Sequence, residues 1–278
     1  IGKDSGTALT TGDYNVAVGV STLKANTEGV RNTAVGYDAL LADTLGSKST
    51  ALGFGTLTTQ NLTSATDTYN TAVGYNAGND ITTGTKNTIV GGAAGDQLTV
   101  GEKNVAVGYD ALTADTQGSK STAVGKGALA TQNHTSATDT HNTAVGHDAL
   151  NDLTTSTHTT AVGSEALSTV TTAGNNTAFG SHALKACTSG NNNVAMGRSA
   201  LTTNTTGYNN TAIGNISQEN TTEGQANTSV GASSLNDLTT GSYNTCVGQQ
   251  AGDAITTGSN NTAIGRNSMS AVTTVLPL

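Results

Sequence analysis

A chain of 278 residues would ordinarily make one large domain or two, yet this one carries 3% aromatics, no tryptophan, one proline and 35 glycines. Composition so poor in large apolar residues points to disorder unless a repeat imposes order. A net charge of -8 and a pI near 4.9 leave no basic stripe for phosphates and speak against a nucleic-acid partner. No apolar run is long enough to span a membrane, so no membrane insertion is expected of this segment.

The chain opens at Ile1-Gly2, in the middle of a repeat, and reads as a segment of a longer polypeptide. From there a five-residue stretch, clearest as Asn32-Thr33-Ala34-Val35-Gly36, recurs along the whole chain. Its closing glycines are Gly2, Gly19, Gly36, Gly53, Gly74, Gly91, Gly108, Gly125, Gly146, Gly163, Gly180, Gly197, Gly214, Gly231, Gly248 and Gly265. Thirteen of the fifteen spacings are 17 residues and two are 21. A fixed period of this size marks a stacked repeat and is read before any other motif.

Counting Asn32 as position 1, position 2 is Thr or Val and position 3 is small, as at Ala17, Ala34, Ala72, Ala106 and Ala144, with Ile89, Ser229 and Cys246 as exceptions. Position 4 is large and apolar: Val18, Val35, Leu52, Val73, Val90, Val107, Val124, Val145, Val162, Phe179, Met196, Ile213, Val230, Val247 and Ile264. These residue types suit a short strand that the glycine ends. Successive strand residues face opposite sides, so apolar residues at both 3 and 4 predict that both faces are covered. The small residue would face the interior of the chain's own coil, and position 4 would pack between chains.

A second short strand is expected at positions 8 and 9, usually Ala-Leu, as in Ala39-Leu40 and Ala111-Leu112. Four repeats carry glycine at position 9 instead, at Gly6, Gly78, Gly95 and Gly252, and each has a large aliphatic at position 12: Leu9, Ile81, Leu98 and Ile255. The exchange predicts one internal layer filled by either route. Position 13 is threonine in every 17-residue repeat that completes it, and position 15 is mostly glycine. Stacked one coil per repeat, the asparagines and threonines would form two polar ladders.

The expected fold is therefore all-β, a repeat β-solenoid of about 16 coils of 17 residues, two of them 21, at ~4.8 Å per coil. The repeat rod would cover residues 1–274, with residues 275–278, including Pro277, as an exit segment. A Val and a Leu per coil make a thin interior, and closed symmetric association of chains would supply the missing burial. A threefold axis suits a narrow fibre.

The run Asn-Thr-Ala-Val-Gly-x-x-Ala-Leu, spaced by Thr-Thr-Gly, resembles the head repeats of YadA-type trimeric autotransporter adhesins. It is still more similar to the Asn-Thr-Ala-Val-Gly arrays of bacteriophage tail fibres that end in an intramolecular chaperone domain. The resemblance covers residues 1–274. It implies a left-handed parallel β-roll, three intertwined chains around one axis, an extracellular place on a virion tail fibre or bacterial cell surface, and attachment to a surface glycan or receptor. The 17-residue unit is longer than the YadA-type repeat, and the chain contains neither a membrane-anchor barrel nor the chaperone domain. Ice binding through threonine ladders and cleavage of polysaccharide by a tailspike are the alternatives.

The two 21-residue repeats are the only breaks in rhythm. Leu57 through Thr68 correspond to Leu129 through Thr140, 72 residues later, and in both repeats a serine, Ser49 or Ser121, replaces the position-1 asparagine. Loops that protrude from a regular stack are where binding is expected. The candidate contacts are Thr58, Gln60, Asn61, Thr63 and Asp67 in the first, and Thr131, Gln132, Asn133, His134 and Asp139 in the second. A duplicated spacer is the plainer reading of the same loops. His134, His141 and His147 take places held by Leu62, Tyr69 and Tyr75 in the first block, so they read as packing or surface residues rather than metal ligands. The position-6 tyrosines Tyr37, Tyr75 and Tyr109 could stack on sugars, although a repeated column reads first as packing. Cys187 and Cys246 lie about four coils apart, roughly 19 Å, too far for a disulfide. No nucleophile elbow, zinc signature or phosphate-binding loop is found, and neither enzymatic activity nor a cofactor or metal is expected.

Overall fold

A computed structural model describes residues 1–271; the last part of the expected rod and the exit segment lie outside the described residues. The chain forms two compact units, Ile1–His141 and Asn142–Leu278. Both are built as parallel β-solenoid, about 15 turns of ~17 residues in all.

In the first unit seven three-residue strands pair in chain order: Val16–Val18, Thr33–Val35, Thr50–Leu52, Thr71–Val73, Thr88–Val90, Val105–Val107 and Thr122–Val124. In the second unit eight do so, from Thr143–Val145 to Thr262–Ile264. Like residues stand opposite like: Ala17 faces Ala34 and Val18 faces Val35 across the first pair. The register follows from alternate peptide bonding. The position-2 N–H donates forward, Thr33 to the Ser49 carbonyl at 2.9 Å, and the glycine N–H donates back, Gly36 to Val18 at 2.9 Å.

Position 3 points inward and is fully buried, as at Ala34, Ala51 and Ala106. Position 4 points outward. Within one chain the strand therefore has a single covered face, and the second cover that its apolar residues predict is not supplied by the chain itself.

The expected second strand is instead a run of turns. Positions 7 and 9 sit in the left-handed region, with φ 55° at Asp38 and 52° at Leu40. This conformation costs a leucine roughly 1–2 kcal/mol. It flips successive peptides so that Asp38 N–H donates back to Val20 at 3.0 Å and Leu40 N–H donates forward to Thr56 at 3.0 Å. Leu40 is also fully buried. The cross-coil bond and the buried side chain offset the backbone cost.

The exchange between positions 9 and 12 holds in space. A Cβ on Gly78 would stand 3.0 Å from Ile81 Cδ1, and one on Gly252 would stand 3.1 Å from Ile255 Cδ1. Ile81, Leu98 and Ile255 are all buried. Position 3 takes part too: the nearest atom to a Cβ on Gly95 is Cδ1 of Ile89, at 3.1 Å, and on Gly252 it is the Cys246 Sγ. Two of the exceptions at position 3 thus fill space left by a glycine at position 9.

Both polar ladders form. Asn32 Oδ1 accepts the Ser49 N–H at 2.9 Å while Asn32 Nδ2 donates to the Gly46 carbonyl at 2.8 Å. The pattern recurs from Asn87 to Asn104 and from Asn193 to Asn210. Each asparagine thus satisfies a backbone donor and a backbone acceptor that would otherwise be buried without partners. In the threonine ladder the N–H and the hydroxyl of Thr27 both donate to the Thr44 carbonyl, at 2.9 and 3.2 Å.

Candidate functional site

The two insertions lie in the first unit. Where serine replaces the position-1 asparagine, the interior is completed from elsewhere in the coil. Gln60, at position 12, donates through Nε2 to Ser49 Oγ at 3.0 Å and to Asp43 Oδ2 at 2.6 Å, and accepts from Asn70 Nδ2 at 2.9 Å. Ser49 also bonds the hydroxyl of Thr68, a residue of the insertion. The same arrangement recurs at Gln132, Ser121, Asp115 and Thr140. Each insertion is therefore tied into the stack by a buried polar cluster around one carboxylate. The returning chain adds a two-residue strand, Thr66–Asp67 beside Gly46–Ser47 and Thr138–Asp139 beside Gly118–Ser119.

The two carboxylates have different neighbours. Burial pushes the Asp43 carboxyl up, and bonds from Gln60 and the backbone of Gly46, Leu62 and Leu45 only partly oppose it. Burial also pushes at Asp115, but the nearby imidazole of His134 together with bonds from Gln132 and the backbone of His134 and Gly118 outweighs it and holds that carboxyl low. His134 Nδ1 lies 3.8 Å from Asp115 Oδ1, and its backbone N–H donates to the same oxygen at 3.1 Å.

Of the ten candidate contact residues, Gln60, Gln132 and His134 are buried and face the interior. Thr58 and Asn133 are half-buried, the first donating to the Asp38 carbonyl at 3.3 Å and the second accepting from Thr116 Oγ1 at 3.1 Å. Asn61, Thr63, Asp67, Thr131 and Asp139 are exposed. Asp67 pairs with Lys48 and Asp139 with Lys120, and the lysine bond is the main reason each carboxyl sits below its ordinary range. The expectation that all ten residues lie on protruding loops where they could contact a ligand is thus corrected for the three buried ones. Position 12, where Gln60 and Gln132 stand, is inward at Ile81, Leu98 and Ile255 as well, which was the available signal for the two glutamines.

The outer face of the strands carries a row of exposed apolar side chains. Its centre is the position-4 column, with Leu52 45% and Phe179 55% exposed. In the first unit a second apolar column stands beside it at position 6. Tyr37, Phe54 and Tyr75 stack there in near-parallel rings, 5.1 and 5.2 Å between centroids. On the other edge, at position 17, stand Arg31, Lys48, Lys86, Lys103 and Lys120, five of the chain's 11 basic residues, with φ near 60°. The acidic total concealed this file of cations, most of which have acidic neighbours. Lys48, Lys103 and Lys120 have carboxylate neighbours in Asp67, Glu102 and Asp139.

Among the described residues no pocket and no group of three metal-ligating side chains is present. Cys187 and Cys246 are free and buried, and burial pushes both thiols up to about 11. His147 is exposed, with Nδ1 3.2 Å from Asp148 Oδ2. No helix among the described residues is long and apolar enough to cross a membrane. Comparison with family models, with curated proteins and with solved structures finds no match to this chain.

Proposed function

We propose that this chain is a structural segment of an extracellular attachment fibre, shaft or head, that works as an intertwined homotrimer with a left-handed β-roll in each chain. The observation that carries the reading is the uncovered position-4 column. An aliphatic row this regular, left outside by the chain's own coil, is the kind of contiguous patch that marks an association surface. Covering each half-exposed side chain contributes on the order of 1 kcal/mol, and the repeat multiplies that gain along its length. The resemblance to adhesin heads and phage fibres supplies the threefold symmetry, the handedness, the place on a virion or cell surface, and the role.

Attachment would use the exposed parts of the insertions, around Thr63, Asp67, Thr131 and Asp139, against a surface glycan or receptor. Ice binding would need free threonine hydroxyls, whereas those at position 13 donate to carbonyls of the next coil, as Thr99 does to Thr116 at 2.8 Å. A glycan-cleaving site would need two carboxylates facing one substrate, whereas Asp43 and Asp115 are buried in separate coils.

Light scattering tests the assembly: a mass near three times 27.5 kDa is expected, and a stable 27.5 kDa monomer overturns it. Beads bearing the segment test the role. Saturable retention on bacterial cells that drops when both insertions are cut to 17 residues is expected, and retention no better than that of uncoated beads overturns it.

A further inference from the structure

At three levels of the first unit a cation on one edge of the exposed face stands level with an aromatic ring on the other, although the two cannot touch within a chain. Each strand is entered at position 17 and left at position 6, as from Arg31 to Tyr37. Six residues at ~3.3 Å separate them by about 20 Å. Contacts within the chain stay inside each column. Arg31 lies over the Tyr14 ring at 5.5 Å and Lys48 over Tyr69 at 5.0 Å, all at position 17, while the Tyr37, Phe54 and Tyr75 stack runs along position 6.

Along single strands of the first unit the edges read Arg31 and Tyr37, Lys48 and Phe54, Tyr69 and Tyr75, Lys103 and Tyr109. In the second unit position 17 holds no lysine or arginine and position 6 no tyrosine or phenylalanine, although Arg198 stands with Asn192, Arg266 with Asn260 and Tyr243 with Gln249. Its other edges include Asn175 and Ser181, Asn209 and Asn215, Ala226 and Ala232. The level at Lys86 pairs a cation with Gly92. The one level with like charges is Lys120 and Lys126, where Asp139 neutralises Lys120.

We infer that position 17 of one copy packs against position 6 of a second copy of this chain, at the same level. In the first unit the joint is then made by cations on aromatic faces. Cations are drawn to the ring face, and complementary edges of this kind fix register as well as adding attraction. The pairing requires parallel copies related by an axis running along the stack. An antiparallel pair would set position 17 against position 17, cation on cation. The inference rests on the self-association proposed above and names the residues that specify it.

The test is a disulfide between the edges. The full chain carrying Lys103→Cys and Tyr109→Cys together is oxidised mildly and run without reductant. The two positions are about 20 Å apart in one chain, beyond disulfide reach, and the native thiols are buried. A closed covalent oligomer is expected from the double variant, with neither single variant cross-linking. Cross-linking of Lys103→Cys alone, or of Tyr109→Cys alone, overturns the edge pairing while leaving self-association standing. Absence of any cross-link in a protein that scatters as an oligomer does the same. A monomer at every concentration overturns both.

A swap gives an independent reading. Lys103→Tyr or Tyr109→Lys alone should weaken association roughly tenfold, and the two together should restore it. Circular dichroism of each variant reports whether the coil still folds. A double variant no tighter than either single would sink the inference.

Discussion

His134 stands 3.8 Å from the carboxylate of Asp115, and at the corresponding place in the first insertion Leu62 leaves Asp43 without such a partner. The two aspartates are otherwise held alike, by a glutamine and by the N–H of a glycine three residues on. Their carboxyls move in opposite directions, up for Asp43 and down for Asp115. A depressed carboxyl contributes stability that is present above its unfolded value, ~3.9, and is lost as pH falls through its folded value. A raised carboxyl does the reverse: its contribution is present below ~3.9 and is lost as pH rises through its folded value.

His134→Leu should therefore turn Asp115 into a second Asp43. Near neutral pH the variant is expected to lose roughly 1–3 kcal/mol. The deficit should shrink as pH falls below ~3.9 towards the depressed value of Asp115, because protonation removes the charge that the imidazole accompanies. Thermal unfolding of both proteins between pH 3 and 8 measures it. A deficit that stays constant across that range would show that the charge of Asp115 has no part in it.

Two glycine substitutions should part company. A Cβ on Gly36 would sit 2.1 Å from the Gly53 carbonyl oxygen at φ +140°, so Gly36→Ala is expected to cost several kcal/mol, roughly 3 or more. A Cβ on Gly92 meets only Tyr109 Cδ2 at 3.4 Å, with ordinary φ. Gly92→Ala should change stability by less than about 1 kcal/mol, and in the stabilising direction. Denaturant titration of the two variants side by side decides, and equal losses would contradict the close approach at Gly36.

Asn104 joins three neighbours at once: its N–H donates to Asn87 Oδ1, its Nδ2 to the Gly118 carbonyl, and its Oδ1 accepts the Ser121 N–H, at 2.9, 2.9 and 2.8 Å. Asn104→Ala leaves a buried donor and a buried acceptor without partners. A loss of about 2–4 kcal/mol is expected. Hydrogen exchange should show the Ser121 amide losing protection first, and an unchanged Ser121 rate would argue that water takes over the bond.

The exchange between positions 9 and 12 invites a cycle at Gly78 and Ile81. Ile81→Ala should cost about 2–5 kcal/mol by opening a void, and Gly78→Leu about 1–3 kcal/mol by overfilling the same layer. Gly78→Leu with Ile81→Ala moves the aliphatic volume from position 12 to position 9, where Leu23 carries it in an earlier coil, so the pair should fall well short of the summed losses. Strict additivity in thermal melts would mean that the two positions do not share one space.

Period, stacking, the inward alanines and both ladders were legible because like residues recur at fixed spacing, and a stack converts spacing directly into contact. The Ala-Leu segment misled because leucine gives no sign of a left-handed backbone. That conformation at Leu40 is imposed by the bond to Thr56 in the next coil. The residues beside it did carry a hint, since position 7 holds Asp38, Asn76 and Asp110, types that tolerate this region. In the insertions Gln60 reads as a polar loop residue until its place is matched to Ile81 and Leu98, which are buried. The file of cations at position 17 was visible in the sequence but hidden by the chain's acidic total.

The closed glycine column has a consequence for how such a chain changes over time. A methyl group at Gly36 or Gly74 has nowhere to go, so single substitutions at the bend are barred, while an additional whole coil meets its neighbours as well as the old ones did. The 72-residue correspondence between Leu57–Thr68 and Leu129–Thr140 bears the trace of growth by blocks. Length, counted in coils, is thus the one property that can change without crowding the bend, because every added coil brings its own glycine.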